Sequence, residues 1–211
     1  MVLQCSGLGK VFMLFTGLVL LSGCATLDKD ECINADWRSI GYEDGARGYQ
    51  ASRIGSHRKA CAKHGITPDF ERYERGRLEG LREYCTPRTG YQLGAGGKQY
   101  PYVCPKDLEP TFSEAYQQGR QVHAVQTAVR EKERQLKERY GALDAVEKDL
   151  AAYESELVHG STGPRRRKFL LEEIKILTDD QRTKLADISV REAELDDLRT
   201  QLSEMKASSG F

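Results

Sequence analysis

The stretch VHAVQTAVREKERQLKERYGALDAVEKDLAAYESELVHGSTGP, residues 122–164, decides the fold. Val122, Val129, Leu136, Leu143, Leu150 and Leu157 recur every seven residues, and a second series follows at Val125, Lys132, Arg139, Val146 and Tyr153. Such a heptad repeat marks helices that pack along a narrow seam. His159-Gly160-Ser161-Thr162-Gly163-Pro164 then supplies a helix stop, a cap and a proline suited to a first helical turn. Beyond it Ile174, Gln181, Ile188, Leu195 and Leu202 repeat the spacing beside Leu170, Leu177, Lys184, Arg191, Leu198 and Met205. Folding the chain at its turn sets Val122 opposite Met205, Val129 opposite Leu198, Leu150 opposite Leu177 and Leu157 opposite Leu170. That register centres between Gly163 and Pro164; one slipped by a heptad would centre on Gly160. An antiparallel hairpin is expected over 121–206, with its turn at 159–164 and a disordered tail at 207–211. The same heptads also allow a parallel homo-oligomer in its place.

Lys132, Arg139, Lys184 and Arg191 fall in the middle of this seam, opposite apolar residues. Long cationic side chains are expected to pack their stems and turn their heads outward, here toward Glu133, Glu138, Asp187 and Glu192. Arg165, Arg166, Arg167 and Lys168 crowd the start of the second helix, where the macrodipole disfavours cations. The four seam cations and the three tip arginines are candidate partner contacts.

Working back toward the amino terminus, residues 24–120 read as a separate helical module. It is poor in Leu, Ile, Val and Phe and holds Cys32, Cys61, Cys85 and Cys104. Four cysteines allow three pairings, and sequence alone does not choose. Cys32–Cys61 and Cys85–Cys104 are favoured because each closes a local loop. Tyr-x-x-Gly recurs three times, at Tyr42–Gly45, Tyr73–Gly76 and Tyr116–Gly119, and Gly41/Gly45 and Gly76/Gly80 add a four-residue spacing. On a helix these residues share a face that another backbone can approach closely. The expectation is a three-helix cluster, with irregular chain at Thr86-Pro87-Arg88-Thr89-Gly90 and Gly94-Ala95-Gly96-Gly97. Tyr42, His57, His64, Tyr73 and Arg77 are the candidate ligand groove. His57, Cys61 and His64 have zinc-like spacing, but a bridged Cys61 offers no thiolate, so neither metal nor cofactor is expected.

The N-terminal run VFMLFTGLVLL, residues 11–21, is too short to span a bilayer and has the length of a signal-peptide core. Leu21-Ser22-Gly23-Cys24 after it resembles the bacterial lipobox. That resemblance implies a signal peptide at 1–23, cleavage before Cys24 and acylation of Cys24. Ala25, where inner-membrane retention favours Asp, implies the outer membrane, facing the periplasm.

Asp36-Trp37, Gly41-Tyr42-Glu43-Asp44-Gly45, His57-Arg58-Lys59-Ala60-Cys61, Tyr73-Glu74-Arg75-Gly76-Arg77, Tyr84-Cys85, Val103-Cys104-Pro105 and Tyr116-Gln117-Gln118-Gly119-Arg120 together resemble a family of Gram-negative lipoproteins of unknown function. The resemblance runs from Cys24 to about Val122 and implies a small envelope lipoprotein, with no catalytic residue to carry over.

The fold class expected is therefore mainly α, a small disulfide-stapled helical module followed by a long antiparallel coiled-coil hairpin. The chain has 211 residues with 32 Lys and Arg against 32 Asp and Glu, and this zero net charge argues against nucleic acid as a partner. No nucleophile elbow or HExxH motif is present. The sequence points to a non-enzymatic envelope protein, held to the membrane at Cys24, that binds or spaces an envelope protein or the cell wall. The second reading is a ligand-binding or hydrolytic protein acting on cell-wall or lipid material through the groove residues.

Overall fold

Asp28, Asp36, Asp69 and Thr86 each accept a backbone N–H from the first turn of a helix, and they fix where four helices begin. The computed structural model describes residues 27–210; the expected signal peptide and Cys24 lie outside the described residues. Those residues form α1 (Lys29–Ile33), α2 (Trp37–Ala46), a 3₁₀ turn (Ala51–Arg53), α3 (Ile54–Ala62), α4 (Phe70–Tyr84), α5 (Pro87–Ala95), α6 (Glu109–Val158) and α7 (Pro164–Ser208). The fold is all-helical among the described residues.

Two expectations about the module are corrected. The stretch from Thr86 to Gly97 is not irregular: α5 occupies most of it, capped by the Thr86 hydroxyl and started by Pro87, whose ring suits a first turn. The core is not a three-helix cluster either. Helix α2 packs on α4, and α5 packs on the first turns of α6.

These two pairs are the same unit built twice. A Cβ on Gly41 would overlap the Tyr73 carbonyl, and one on Gly90 would overlap the Phe112 carbonyl. Gly45 stands likewise against Arg77, and Gly94 against Tyr116. Gly80 meets the Tyr42 carbonyl and Ala46 amide; Gly119 meets the Tyr91 carbonyl and Ala95 amide. Gly48 and Gly97 end α2 and α5 in left-handed conformation, at φ +74 and +68, with the Tyr84 and His123 rings against them. Each caps its helix with the same pair of backbone bonds: Tyr49 to Asp44 and Gly48 to Gly45, then Lys98 to Leu93 and Gly97 to Gly94. Tyr42-x-x-Gly45-Ala46-x-Gly48 is thus repeated as Tyr91-x-x-Gly94-Ala95-x-Gly97. Tyr73 corresponds to Phe112 and Arg77 to Tyr116, so the third Tyr-x-x-Gly copy, at Tyr116, is not the counterpart of the one at Tyr73.

Each unit carries one bridge. Cys32–Cys61, with Cα atoms 5.5 Å apart, lies in an apolar cluster with Trp37 and Tyr73. Cys85–Cys104, at 5.6 Å, closes the second unit beside Leu81, Tyr100, Phe112 and Tyr116. The two local pairings are the ones formed.

Helix α6 is continuous for 50 residues, about 75 Å at 1.5 Å per residue, from inside the second unit to the hairpin tip. The expected boundary at 120/121 thus falls within a single helix. Helix α7 returns antiparallel and ends against the module, where Leu202 and Met205 pack on Tyr91, Ala115 and Val122. It stays helical to Ser208, into the stretch expected to be a disordered tail. Val129, Leu136, Leu143, Ile188 and Leu195 form the seam core with Leu198 and Leu202. Ion pairs Arg199–Glu133 and Arg166–Glu156, both at 2.7 Å, lock the two ends of the arms in the register centred between Gly163 and Pro164. A heptad slip would put residue 192 in the place of Arg199 and break both.

The seam cations do turn outward, two of them to the expected Asp187 and two to carboxylates other than those expected. Lys132 pairs with Glu194, Lys184 with Asp180 at 3.3 Å, and both Arg139 and Arg191 with Asp187, at 3.6 and 2.9 Å. At the tip, Arg166 spans Glu156 and lies over the Phe169 ring, while Arg167 donates to the Thr162 carbonyl.

Candidate functional site

Where three helices of the first unit meet, the module buries a polar centre. Asp44 sits on the last turn of α2, His57 on α3 and Tyr73 on the first turn of α4, all buried. His57 Nε2 lies 2.7 Å from Asp44 Oδ2, and the Tyr73 hydroxyl donates to the same oxygen at 2.8 Å. Arg53 Nε stands 4.0 Å from Asp44 Oδ1, with its guanidinium over the Tyr49 ring. With Nε2 facing the carboxylate, the remaining ring nitrogen of His57 is Nδ1. That atom and Arg53 Nε are shielded from solvent with no hydrogen-bond partner among the described residues.

The electrostatics follow from this geometry. Burial pushes the Asp44 carboxyl up, but hydrogen bonds from His57 and Tyr73, with the charges of His57 and Arg53, hold it below the ordinary carboxylate value. Burial, then the hydrogen bond to Asp44, drives the Tyr73 hydroxyl well above its usual value and keeps it protonated. Arg77 is buried beside this centre but belongs to another cluster. Its Nε and Nη2 hold both oxygens of Glu74, at 2.8 and 2.7 Å, and its Nη1 donates to the Tyr49 carbonyl at 3.2 Å.

Of the five candidate groove residues, the structure brings together His57 and Tyr73. Tyr42 and His64 are exposed and stand apart, and Arg77 faces Glu74. Cys61 is bridged, so the zinc-like trio has no sulfur ligand to offer. Five surface concavities are lined by other side chains. The centre's chemistry is that of a clamp: one carboxylate oxygen accepts hydrogen bonds from two helices and ties α3 and α4 to α2.

Sequence reasoning missed Asp44, on which the others converge. The signal lay in the duplication. Asp44 precedes Gly45 where Leu93 precedes Gly94, and His57 stands four residues before Cys61 as Tyr100 does before Cys104. The first unit therefore places Asp44, His57 and Tyr73 where the second places Leu93, Tyr100 and Phe112, which pack in one apolar cluster.

Residues 36–121 match the model of a family described as a protein of unknown function (DUF2799). The matched span opens on the α2 cap and closes where α6 leaves the second unit, so it contains both helix pairs and the polar centre and none of the rest of the hairpin. No curated protein and no solved structure matches the chain. Among the described residues, no helix is long and apolar enough to cross a membrane.

Proposed function

We propose that this chain is a lipid-anchored protein of the bacterial envelope, held at Cys24 in the outer membrane and facing the periplasm, whose work is mechanical. The module is the base and the hairpin is an arm that binds or spaces a protein or the cell wall. The carrying observation is the continuity of α6, one 50-residue helix from the stapled base to the tip. A helix without a break transmits position; a hinge between base and arm would not. Docking of Leu202 and Met205 on Tyr91 and Val122 braces the arm a second time at its root. The duplicated module also supports this reading, since its glycine-mediated crossings bring backbones into contact and leave its polar centre filled.

A photo-crosslinker at Arg165, an exposed tip position, tests the proposal in cells. Capture of an envelope protein or of cell-wall material is the expected result. Removing residues 144–150 and 177–183 together shortens both arms by one heptad and keeps the seam in register, so capture should fall sharply with little change in melting. Unchanged capture by the shortened arm, or a small molecule bound in the module as the sole ligand, would overturn the spacer reading.

A further inference from the structure

Residues 45–68 contain Arg47, Arg53, Arg58, Lys59 and Lys63 and no Asp or Glu. They include the 3₁₀ turn and α3, and this segment is an elaboration of the first unit. The second unit passes from Gly94 to Cys104 without a helix, where the first inserts α3 between Gly45 and Cys61. Helix α3 turns His57, Ala60 and Cys61 into the core and leaves its cationic side chains on the outer face. Arg47 and Arg53 have carboxylate partners, at 3.7 and 4.0 Å. Arg58, Lys59 and Lys63 are exposed and have no ion-pair partner among the described residues, on a chain where most exposed arginines are paired.

Beside these cations lies an apolar groove of about 450 Å³, lined by Ile54, Arg58, Pro68 and Phe70 among others, with Phe70 56% exposed. Ile54 packs on the same core cluster as Leu27. Cys24 precedes Leu27 by three residues, a tether of at most about 11 Å. An acyl chain at Cys24 would therefore hold the Leu27 and Ile54 end of the first unit close to the lipid. Of the three carboxylates at α1, Asp28 and Glu31 are turned onto their own backbone in a capping box, and Asp30 is exposed.

We infer that the α3 face of the module, Arg58, Lys59 and Lys63 with Phe70 at its edge, seats on the anionic phospholipid headgroups of the leaflet that holds the Cys24 acyl chains. This rests on the lipid-anchor reading and adds to it the orientation of the base. Cations at a membrane surface engage lipid phosphates, and an exposed ring beside them enters the interface. With the base seated on α3, the hairpin holds one direction relative to the bilayer instead of swivelling on its tether.

The mature chain, reconstituted in phosphatidylcholine vesicles with and without phosphatidylglycerol, provides the test. Amine acylation of Lys59 and Lys63 is read by mass spectrometry against Lys168 at the hairpin tip, and the Cys24 peptide is weighed in the same digest. Slower labelling of Lys59 and Lys63 is expected in anionic vesicles only, by roughly five-fold for each cation held at the surface, and the protection should vanish in high salt. Arg58→Glu with Lys59→Glu should return Lys63 to the rate of Lys168. Equal labelling in both vesicles with acyl mass present on Cys24 overturns the seat and leaves the anchor standing; a Cys24 peptide without acyl mass removes both.

Discussion

His57 Nε2 and Asp44 Oδ2 are 2.7 Å apart inside a unit whose twin has Leu93 in place of Asp44 and, four residues before its cysteine, Tyr100 in place of His57 in the sequence. One architecture thus tolerates either a trio joined by hydrogen bonds or one joined by apolar packing, with the Tyr100 hydroxyl bonded elsewhere, to Glu109. Replacing Asp44 by Leu alone strands His57 and the Tyr73 hydroxyl without their acceptor, and should cost about 3 kcal/mol or more in urea denaturation. The combined variant Asp44→Leu, His57→Tyr, Tyr73→Phe copies the second unit and should recover most of that loss. A triple variant no better than Asp44→Leu would deny the equivalence of the two units.

Acid should act on the module through the same carboxylate. Burial raises Asp44, and the donors from His57 and Tyr73 more than offset it, so its pKa is lower folded than unfolded. The unfolded chain takes up the proton first as pH falls. Stability is therefore full above the ordinary carboxylate range near pH 4 and is lost as pH falls through the lower folded value. Denaturant midpoints measured between pH 7 and pH 3 should drop less for the triple variant than for the natural chain.

Glycine substitutions separate close packing from helix propensity. Gly80→Ala and Gly119→Ala each drive a methyl into the carbonyl of Tyr42 or Tyr91 and should destabilise by about 2–3 kcal/mol, although Ala favours helix. Gly141, on the exposed middle of α6, has nothing within 4 Å of a built Cβ, so Gly141→Ala should stabilise by about 0.5–1 kcal/mol. Thermal melts of the three variants would show the contrast.

Each disulfide should stabilise its own unit. Cys32 and Cys61 are 29 residues apart, Cys85 and Cys104 only 19. Loop closure then gives about 3–4 kcal/mol for each bridge, slightly more for the first. Reduction should lower the melting of the module while the helical signal of the long arms persists, as circular dichroism against temperature would record.

Replacing Lys132, Lys184 and Arg191 by Leu should raise the thermal midpoint of the hairpin by a few degrees, because their side chains are only 29%, 31% and 26% exposed at the seam. Arg139, at 55%, should contribute least. A lower midpoint for the triple variant would show that their ion pairs outweigh apolar burial.

Much of this was legible along the chain. Heptads from Val122 to Met205 gave both arms, and the turn at 159–164 narrowed the register to two choices. Choosing between them took Arg199–Glu133 and Arg166–Glu156, contacts between residues that the apolar pattern does not weigh. The helix at Pro87–Ala95 is hidden in the sequence because Gly90 and Gly94 look like loop residues in isolation. They are helical because the Phe112 and Tyr116 backbones press against them, and a neighbour's backbone leaves no mark on local propensity. For the same reason Tyr73 and Tyr116 looked like copies of one motif, when the true counterpart of Tyr42 is Tyr91.

Local chemistry determined the periodic arms, their turn, the helix caps and the supply of cysteines, since spacing, caps and turn residues act over a few positions. Tertiary structure alone decided that two helix pairs repeat one unit, which carboxylate gathers His57 and Tyr73, and that α6 runs unbroken from base to tip. Those outcomes depend on how closely separate backbones approach, and that distance is set by packing across the chain.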